Sequence, residues 1–206
     1  MKRMKSIMVM GDSISIHYGA YLINMLKSKF EVITREITDE AHQNLNLAVG
    51  GNCGDSGHLN VMLDKYLKDE NYNFDILIFN CGLHDLRTDL DTGSKQVELP
   101  IYSKNLHAAL EKLKKYHITP VWLRTTPVND EVHNSKGELF LRYNADVIKY
   151  NAVADEIMEK SNVPIIDLYT FTQTLGEELY CDHVHFNESI RTAQAAFVAG
   201  AMYTIF

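Results

Sequence analysis

Residues 7–19 of the chain are IMVMGDSISIHYG, and this stretch decides the fold. It opens with four consecutive apolar residues, Ile7–Met10, as expected for a strand that is covered on both faces of a sheet. Gly11, Asp12 and Ser13 follow, and Asp and Ser are common at the start of a helix. The stretch therefore predicts a buried strand, a tight turn and a helix that begins near Ser13.

The same alternation of apolar runs and helical patterns continues along the chain. Between the runs, apolar residues recur at the spacing of helices, as in Leu59, Leu63 and Tyr66. We therefore predict one α/β domain over residues 1–206, a three-layer α/β/α sandwich with a five-stranded, mainly parallel sheet. The five apolar runs are Ile7–Met10, Val32–Ile33, Ile76–Phe79, Val121–Leu123 and Val163–Ile166.

Three further segments bear on this architecture. Leu45–Val49 is a weaker apolar run that precedes a glycine cluster. Residues 127–141, PVNDEVHNSKGELFL, form the longest irregular segment and are a candidate functional loop or lid. The last helix is predicted to have Asn187 as its N-cap and to present an apolar face made of Ile190, Ala193, Phe197 and Ala201.

Composition and charge limit the partners of the chain. The 206 residues carry a formal net charge of -7 without a stripe of cations, so we do not expect binding to nucleic acid. The basic start, MKRMKS, precedes an apolar run too short for a signal peptide, and no stretch approaches membrane-spanning length. Three cysteines do not make a disulfide framework, which favours a cytoplasmic protein. They are Cys53, Cys81 and Cys181.

Reactive residue types follow the predicted strands. In parallel α/β sheets, ligands bind beyond the carboxyl ends of the strands, so these segments are expected to converge on one edge. They are Gly11–Ser13, Gly50–Asn52, Cys81–Asp85 and Arg124–Pro127, joined by YCDHVHFN at residues 180–187 just before the last helix.

A serine, a histidine and an aspartate in these segments suggest nucleophilic catalysis. A serine hydroxyl is a poor nucleophile and needs a base that a third group orients. Asp182 can accept the Nδ1–H of His185 three residues later, which leaves Nε2 free to face Ser13. The backbone N–H groups of Ser13 and Gly51 are candidate donors to an oxyanion. The alternative is a serine that caps a helix and a histidine on the surface.

Four blocks of the sequence resemble those of the SGNH, or GDSL-type, hydrolases. They span nearly the whole chain: GDSIS at 11–15, NLAVGG at 46–51, GLHD at 82–85 and DHVH at 182–185. The resemblance implies a flavodoxin-like sandwich and ester hydrolysis through a serine nucleophile, without a cofactor. By position it implies Ser13 as nucleophile, Gly51 as oxyanion donor, Asp182 as the orienting acid and His185 as the base. NLAVGG and DHVH look most like the rhamnogalacturonan acetylesterase branch.

One block departs from the family pattern of Gly-x-Asn-Asp, in which the Asn amide is the third oxyanion donor. His84 occupies that position here. A neutral imidazole still donates one N–H, so we expect His84 to keep the donor role, with a pH dependence that an amide lacks. The alternative is a structural His84 bonded to Asp85. Gly50 or Gly54 is likewise an alternative to Gly51 as the functional glycine.

Other polar residues near the blocks are candidates for binding a substrate or a metal. The candidate substrate-binding residues are His17, Tyr18, Asp85 and His183. A metal site would combine histidines with Asp85 and Asp182. It would leave Ser13 unexplained, however, and neither a His-x-x-x-His nor a Cys-x-x-Cys spacing occurs, so no metal is expected.

We therefore predict an esterase that removes a small acyl group, such as acetyl, from a sugar or another polar alcohol. The same chemistry on lysophospholipids or acyl thioesters, with longer acyl chains, is an alternative. A second alternative is a non-catalytic binding domain in which His84 blocks the oxyanion hole. The sequence does not indicate an oligomeric state.

Overall fold

The computed structural model describes residues 3–136 and 139–206. Five parallel strands form one sheet in the order β2-β1-β3-β4-β5. Each of the five predicted apolar runs contains a strand, so the predicted α/β fold is confirmed, and the sheet is parallel throughout. The strands are β1 (Ser6–Met10), β2 (Glu31–Ile33), β3 (Ile76–Phe79), β4 (Thr119–Leu123) and β5 (Ile165–Ile166).

The connections between the strands are largely helical, as parallel strands require. The helices are α1 (Ser13–Leu26), α2 (Asp39–Gln43), α3 (Ser56–Lys68), α4 (Leu99–Lys115), α5 (Asp130–Asn134), α6 (Asn144–Lys160), α7 (Leu168–Gln173) and α8 (Glu188–Ile205). They pack in two groups: α8 contacts α1 and α7, and α4 contacts α3 and α6. No helix in the described part of the chain combines the length and the apolar character needed to cross a membrane.

The centre of the sheet is the centre of the core. All four residues of β3 are fully buried, which explains why this run shows no polar alternation. Trp122 of β4 lies against Phe79 of β3, with ring centroids 5.0 Å apart, and is also fully buried. The core thus fixes the strands whose carboxyl ends carry the polar residues described below.

The weaker run Leu45–Val49 is not a strand. It lies in a turn after α2, where the Asn46 N–H donates to the Asn44 side chain and the Leu47 N–H donates to the Asn44 carbonyl. Leu47 is half exposed. Asn44 favours a turn here because its side chain accepts a nearby backbone N–H, which overrides the apolar composition.

The segment 127–141 is not irregular throughout. Asn129 caps the short helix α5 by accepting the Val132 N–H, and His133 of this helix is fully buried. Residues 137 and 138 lie outside the described residues, so the predicted lid remains a prediction.

Helix α8 begins after Asn187, as predicted, but its buried face differs from the predicted one. The Asn187 side chain donates to the Glu178 carbonyl and does not cap the helix. Phe197 is partly buried and stacks on Phe171 of α7, with centroids 4.1 Å apart. The most buried residues of α8 are Ile190, Gln194, Ala195, Val198, Ala199 and Met202.

Candidate active site

Ser13 lies at the junction of β1 and α1. The Asp12 side chain caps the helix by accepting the Ile14 N–H at 3.0 Å, so the chain turns directly from the strand into the helix. Ser13 is 5% exposed. Among the described residues, no acceptor takes the Ser13 N–H, which lies at the positive end of the helix dipole.

A continuous hydrogen-bonded chain joins Ser13 to Asp182. The Ser13 Oγ lies 2.8 Å from His185 Nε2, and His185 Nδ1 lies 2.7 Å from Asp182 Oδ2. A carboxylate can only accept, so Nδ1 carries a proton and Nε2 of the neutral ring is free to accept the serine hydroxyl. This is the arrangement that a serine nucleophile needs before it attacks.

The aspartate is held by the loop between α7 and α8. Its Oδ1 accepts the backbone N–H groups of Val184 and His185 at 2.8 and 2.7 Å. Partial burial alone would raise the pKa of Asp182, but the hydrogen bonds from the His185 ring and these N–H groups outweigh it and lower the pKa well below its usual range. Asp182 therefore stays a carboxylate beside the histidine.

Gly51 lies in the segment that joins α2 to α3. Its φ of +95° suits glycine, and a Cβ there would lie 2.1 Å from the Glu36 carbonyl oxygen. The Gly51 N–H has no acceptor among the residues described, whereas the Gly54 N–H donates to Asn52. The Cys53 N–H bonds to the Gly11 carbonyl and ties this segment to the end of β1.

His84 follows β3 and is 3% exposed. Burial, together with the positive charges of Arg87 and Arg142, holds the pKa of His84 well below its usual value, so the ring is neutral. Its Nε2 lies 3.4 Å from an Arg87 Nη2. The alternative of a side-chain bond from His84 to Asp85 is not what the structure has, because the Asp85 carboxylate accepts the backbone N–H of Ser56 at 2.9 Å.

Two arginines beside His84 were missed by the sequence analysis. Arg87 donates to the Asn46 carbonyl at 2.7 Å, and Arg142, which is 1% exposed, donates through Nε to the Leu83 carbonyl at 2.7 Å. Neither forms an ion pair with a carboxylate in the described ranges. Burial lowers the pKa of Arg87 to about 10, and burial with the charge of Arg87 lowers that of Arg142 to about 9.

Both guanidinium groups lie against the same aromatic ring, that of Phe140. The Phe140 ring centroid lies 4.2 Å from the Arg87 guanidinium carbon and 4.8 Å from that of Arg142. Such contacts favour a cation over an aromatic face. Two cations therefore lie beside His84 at neutral pH. The position of Arg87 three residues after His84, within one turn, was a usable sequence signal, whereas Arg142 reaches the site from a distant segment and gave none.

Residues 9–190 match the model of the GDSL-like Lipase/Acylhydrolase family. The chain belongs to this family. It is a carboxylic ester hydrolase, which confirms the resemblance stated from the four sequence blocks. No curated protein matches the sequence.

Solved structures share the fold of this acylhydrolase over nearly its whole length. A GDSL-like lipase from Bacteroides thetaiotaomicron is 15% identical, with a TM-score of 0.72 over 100% of this chain and 91% of the other. An acetyl xylan esterase is 19% identical, with a TM-score of 0.66 over 97% and 98% of the two chains. A lipase/acylhydrolase from Enterococcus faecalis is 16% identical, with a TM-score of 0.65 over 98% and 97%.

Two of the four candidate substrate-binding residues of the acylhydrolase are buried and contact other parts of the protein. Tyr18 is 2% exposed and packs in the core, because it shares the inner face of α1 with Ile14 and Leu22. Asp85 is fully buried, and its carboxylate holds the N-terminus of α3 through the Ser56 N–H. Contact of either side chain with a substrate therefore stays a prediction.

The other two candidates lie beside His185. The His17 ring centroid is 4.8 Å and the His183 ring centroid 6.0 Å from that of His185. His183 Nδ1 lies 2.9 Å from Nδ1 of His133, a residue that the sequence analysis did not select. Burial lowers the pKa of His17 to about 4 and that of His133 to about 3, so both rings are neutral at neutral pH.

The possible ligand atoms for a metal are concentrated in the triad itself. In the described part of the acylhydrolase, one group of at least three such side chains occurs, with its atoms within 4.8 Å of one another: Asp182, His183 and His185. The contact between Asp182 and His185 is the hydrogen bond of the triad, so a metal there would compete with the proton on Nδ1. His84 and Asp85 are not part of this group.

The three cysteines differ in exposure. Cys53 and Cys81 are fully buried and unpaired, and burial raises the pKa of both thiols. Cys181 is exposed and accepts a hydrogen bond from Arg191 at 3.3 Å. The buried pair behave as small apolar residues of the core.

Proposed function

We propose that this acylhydrolase is a serine esterase that works through an acyl-enzyme and removes a small acyl group, such as acetyl, from a sugar or another polar alcohol. The observation that carries the proposal is the hydrogen-bonded chain Ser13–His185–Asp182, with distances of 2.8 and 2.7 Å. A nucleophile, a base and an orienting acid are already in contact, and the sequence of steps needs no cofactor.

Acylation follows from this geometry. His185 Nε2 takes the hydroxyl proton as Ser13 Oγ attacks the ester carbonyl carbon, and Asp182 stabilises the imidazolium that forms. The Ser13 and Gly51 N–H groups are the proposed donors to the oxyanion, because both are free of protein acceptors in the described residues. His84 is the proposed third donor.

Acylation ends when the tetrahedral intermediate collapses and His185 gives its proton to the leaving alcohol. In deacylation the same Nε2 accepts a proton from water that attacks the acyl-enzyme. The second tetrahedral oxyanion occupies the same donors, and its collapse releases the acid and returns the proton to Ser13. His17 and His183, whose rings flank His185, are proposed to line the substrate cleft.

A cleft lined mainly by polar residues, one of which is Arg87, supports a sugar or another polar alcohol as the leaving group. It has a volume of about 440 Å³ and shares Arg87 with the site. Polar side chains and one aromatic ring are the usual lining of a sugar site, since hydroxyl groups bond to the former and the ring face packs on the latter. Similarity to an acetyl xylan esterase supports the same class. The lining residues are Arg87, Asp89, Thr92, Ser94, Lys95, Gln96, Leu139 and Phe140.

A second cavity favours the alternative of a longer acyl chain. It has a volume of about 350 Å³ and lies between α1 and β2, where its walls include Ile16, Ile23, Val32 and Ile33. An apolar cavity of this size would hold an alkyl chain. Ile16 is three residues from Ser13 on α1, so the cavity is near enough to test.

The test is hydrolysis of p-nitrophenyl acetate, butyrate and octanoate, and of an acetylated xylan oligosaccharide, with a chelator present. Ser13→Ala is expected to lower kcat/KM by at least about 10³-fold, because the nucleophile is lost. Ser161→Ala, at an exposed serine after α6, is the matched control and should keep full activity. The acetyl substrates are expected to be turned over fastest.

Other outcomes discriminate between the alternatives. Faster turnover of octanoate than of acetate would favour the alternative with a longer acyl chain. Activity that survives in Ser13→Ala but is lost with the chelator would replace the serine mechanism by metal catalysis. Wild-type protein that binds the oligosaccharide but hydrolyses none of the esters would be a binding domain.

A further inference from the structure

The contact between Arg87 and His84 determines which ring nitrogen of His84 carries the proton. A guanidinium has donors and no acceptor, so at 3.4 Å the Arg87 Nη2 can only donate to His84 Nε2. Nε2 must then present its lone pair. In a neutral imidazole the one remaining proton belongs to Nδ1.

The surroundings of His84 keep it neutral. The residue is 3% exposed, and the positive charges that face it come from Arg87 in its own loop and Arg142 from the segment after α5. His58 and His185 also disfavour a charge on it. Because a second proton would create a third cation in this cluster, the ring has one N–H.

The Nδ1 atom is the ring nitrogen that can replace an amide. It is bonded to Cγ, as the amide nitrogen of asparagine is, so an Nδ1–H projects from the side chain at a similar distance from the backbone. Among the residues that the structure describes, His84 Nδ1 has no hydrogen-bond partner, whereas Nε2 is taken by Arg87. The free donor, Nδ1, is thus the ring nitrogen whose position corresponds to the side-chain amide nitrogen of the asparagine in the family pattern.

We propose that Arg87 is a positioning residue that holds His84 in the Nδ1–H tautomer and so gives the oxyanion hole its third donor. The proposal rests on the proposed function, because it assigns the oxyanion to this site. The same Arg87 Nη2 also donates to the Asn46 carbonyl at 2.7 Å, five residues before Gly51. One guanidinium therefore fixes the proton of His84 and holds the start of the segment that carries Gly51.

The first experiment observes the tautomer directly. NMR spectra of protein labelled with ¹⁵N in its histidine rings distinguish protonated from unprotonated ring nitrogens, and the signals of His84 are those that His84→Asn removes. We expect Nδ1–H in the wild-type protein and a shift of population to Nε2–H in Arg87→Met. An Nε2–H ring in the wild-type protein, or the same Nδ1–H ring in a folded Arg87→Met, would overturn the proposal.

The second experiment separates the tautomer from the tie to Asn46. The kcat for p-nitrophenyl acetate is measured for the wild type, Arg87→Met, His84→Asn and the double variant. We expect Arg87→Met to lower kcat about ten-fold more in the wild-type background than in His84→Asn, because an amide donates whether or not Arg87 is present. KM should change little, and Arg87→Lys, which keeps a donor, should restore part of kcat.

The outcomes distinguish this inference from the proposed function. If Arg87→Met lowers kcat equally in the two backgrounds, Arg87 only holds the Gly51 segment in place. That result would overturn the inference, while the esterase activity would stand. If the wild-type protein hydrolyses no ester, the proposed function fails, and the NMR spectra still decide whether Arg87 sets the tautomer. Should Arg87→Met fail to fold, the wild-type spectrum alone decides.

Discussion

The hydrogen-bonded triad and the proposed oxyanion hole meet at the same edge of the sheet, but they are held together in different ways. In the triad, Asp182 and His185 are three residues apart in one loop, and only Ser13 comes from elsewhere. In the hole, Gly51 and His84 come from separate segments that Arg87 connects. The comparison shows that one half of the site depends on local sequence and the other on tertiary contacts.

Charge also differs between the two halves. The triad has a carboxylate whose hydrogen bonds satisfy it, whereas the buried Arg142 and the partly buried Arg87 beside the proposed hole have no ion-pair partner among the described residues. Burying an uncompensated cation is unfavourable, so such groups are found where a negative charge develops or binds. An oxyanion is such a charge.

The triad half should give the largest effect. We expect Asp182→Asn to lower kcat/KM by about 10³-fold or more, because an amide can hold His185 in the wrong tautomer while leaving the fold intact. The measurement is hydrolysis of p-nitrophenyl acetate, with Asp64→Asn, on α3 and bonded to Lys112, as the matched control. A loss smaller than about ten-fold would show that the loop alone orients the histidine.

The hole half should give an intermediate effect. We expect His84→Ala to lower kcat by about 10²-fold with little change in KM, since a donor to the oxyanion acts in the transition state. The exposed His107 provides a control variant, His107→Ala. An unchanged kcat removes His84 from the mechanism. A higher kcat would mean that the His84 ring obstructs the hole. The triad would then promote catalysis while His84 inhibits it.

The smallest effect is expected on stability, at Asp85, whose carboxyl group holds the N-terminus of α3. Burial raises the pKa of Asp85 to about 7 against the opposing hydrogen bonds from Ser56. Because the folded-state pKa lies above the unfolded one, the contribution of Asp85 to stability is full below about pH 4 and is lost as pH rises toward 7. Between pH 5 and 7 the wild type should lose about 2 kcal/mol relative to Asp85→Asn. Urea unfolding at the two pH values measures it, and parallel pH dependence in both proteins would contradict the assignment.

The fold was largely predictable because its strands are marked by composition. Continuous apolar runs such as Ile76–Phe79 are buried on both faces, and nothing in their surroundings competes with that pattern. Leu45–Val49 shows the limit, since a local bond to an asparagine side chain made a turn of an apolar run. Tyr18 carried a signal of its burial, because its spacing of four from Ile14 and Leu22 places it on the buried face of the helix.

The candidate site was predictable only where its partners are close in sequence. The spacing of Asp182 and His185 gave their contact, and the resemblance placed Ser13 opposite them. The role of His84 depends on Arg87, whose proximity could be suspected, and on Arg142, which arrives from a segment almost 60 positions later. Such contacts decide which nitrogen of a histidine carries the proton. The tautomer therefore cannot be predicted from residue types alone.

The unequal exposure of the three cysteines makes the unmodified protein a ready-made reporter. A thiol-specific fluorophore will meet Cys181 and leave the buried Cys53 and Cys81 untouched. Cys181 is the direct neighbour of Asp182, and its backbone N–H bonds to the His185 carbonyl at 2.8 Å. A dye at this position would sense occupancy of the cleft by emission, so that ligands which are never hydrolysed can be screened by light alone.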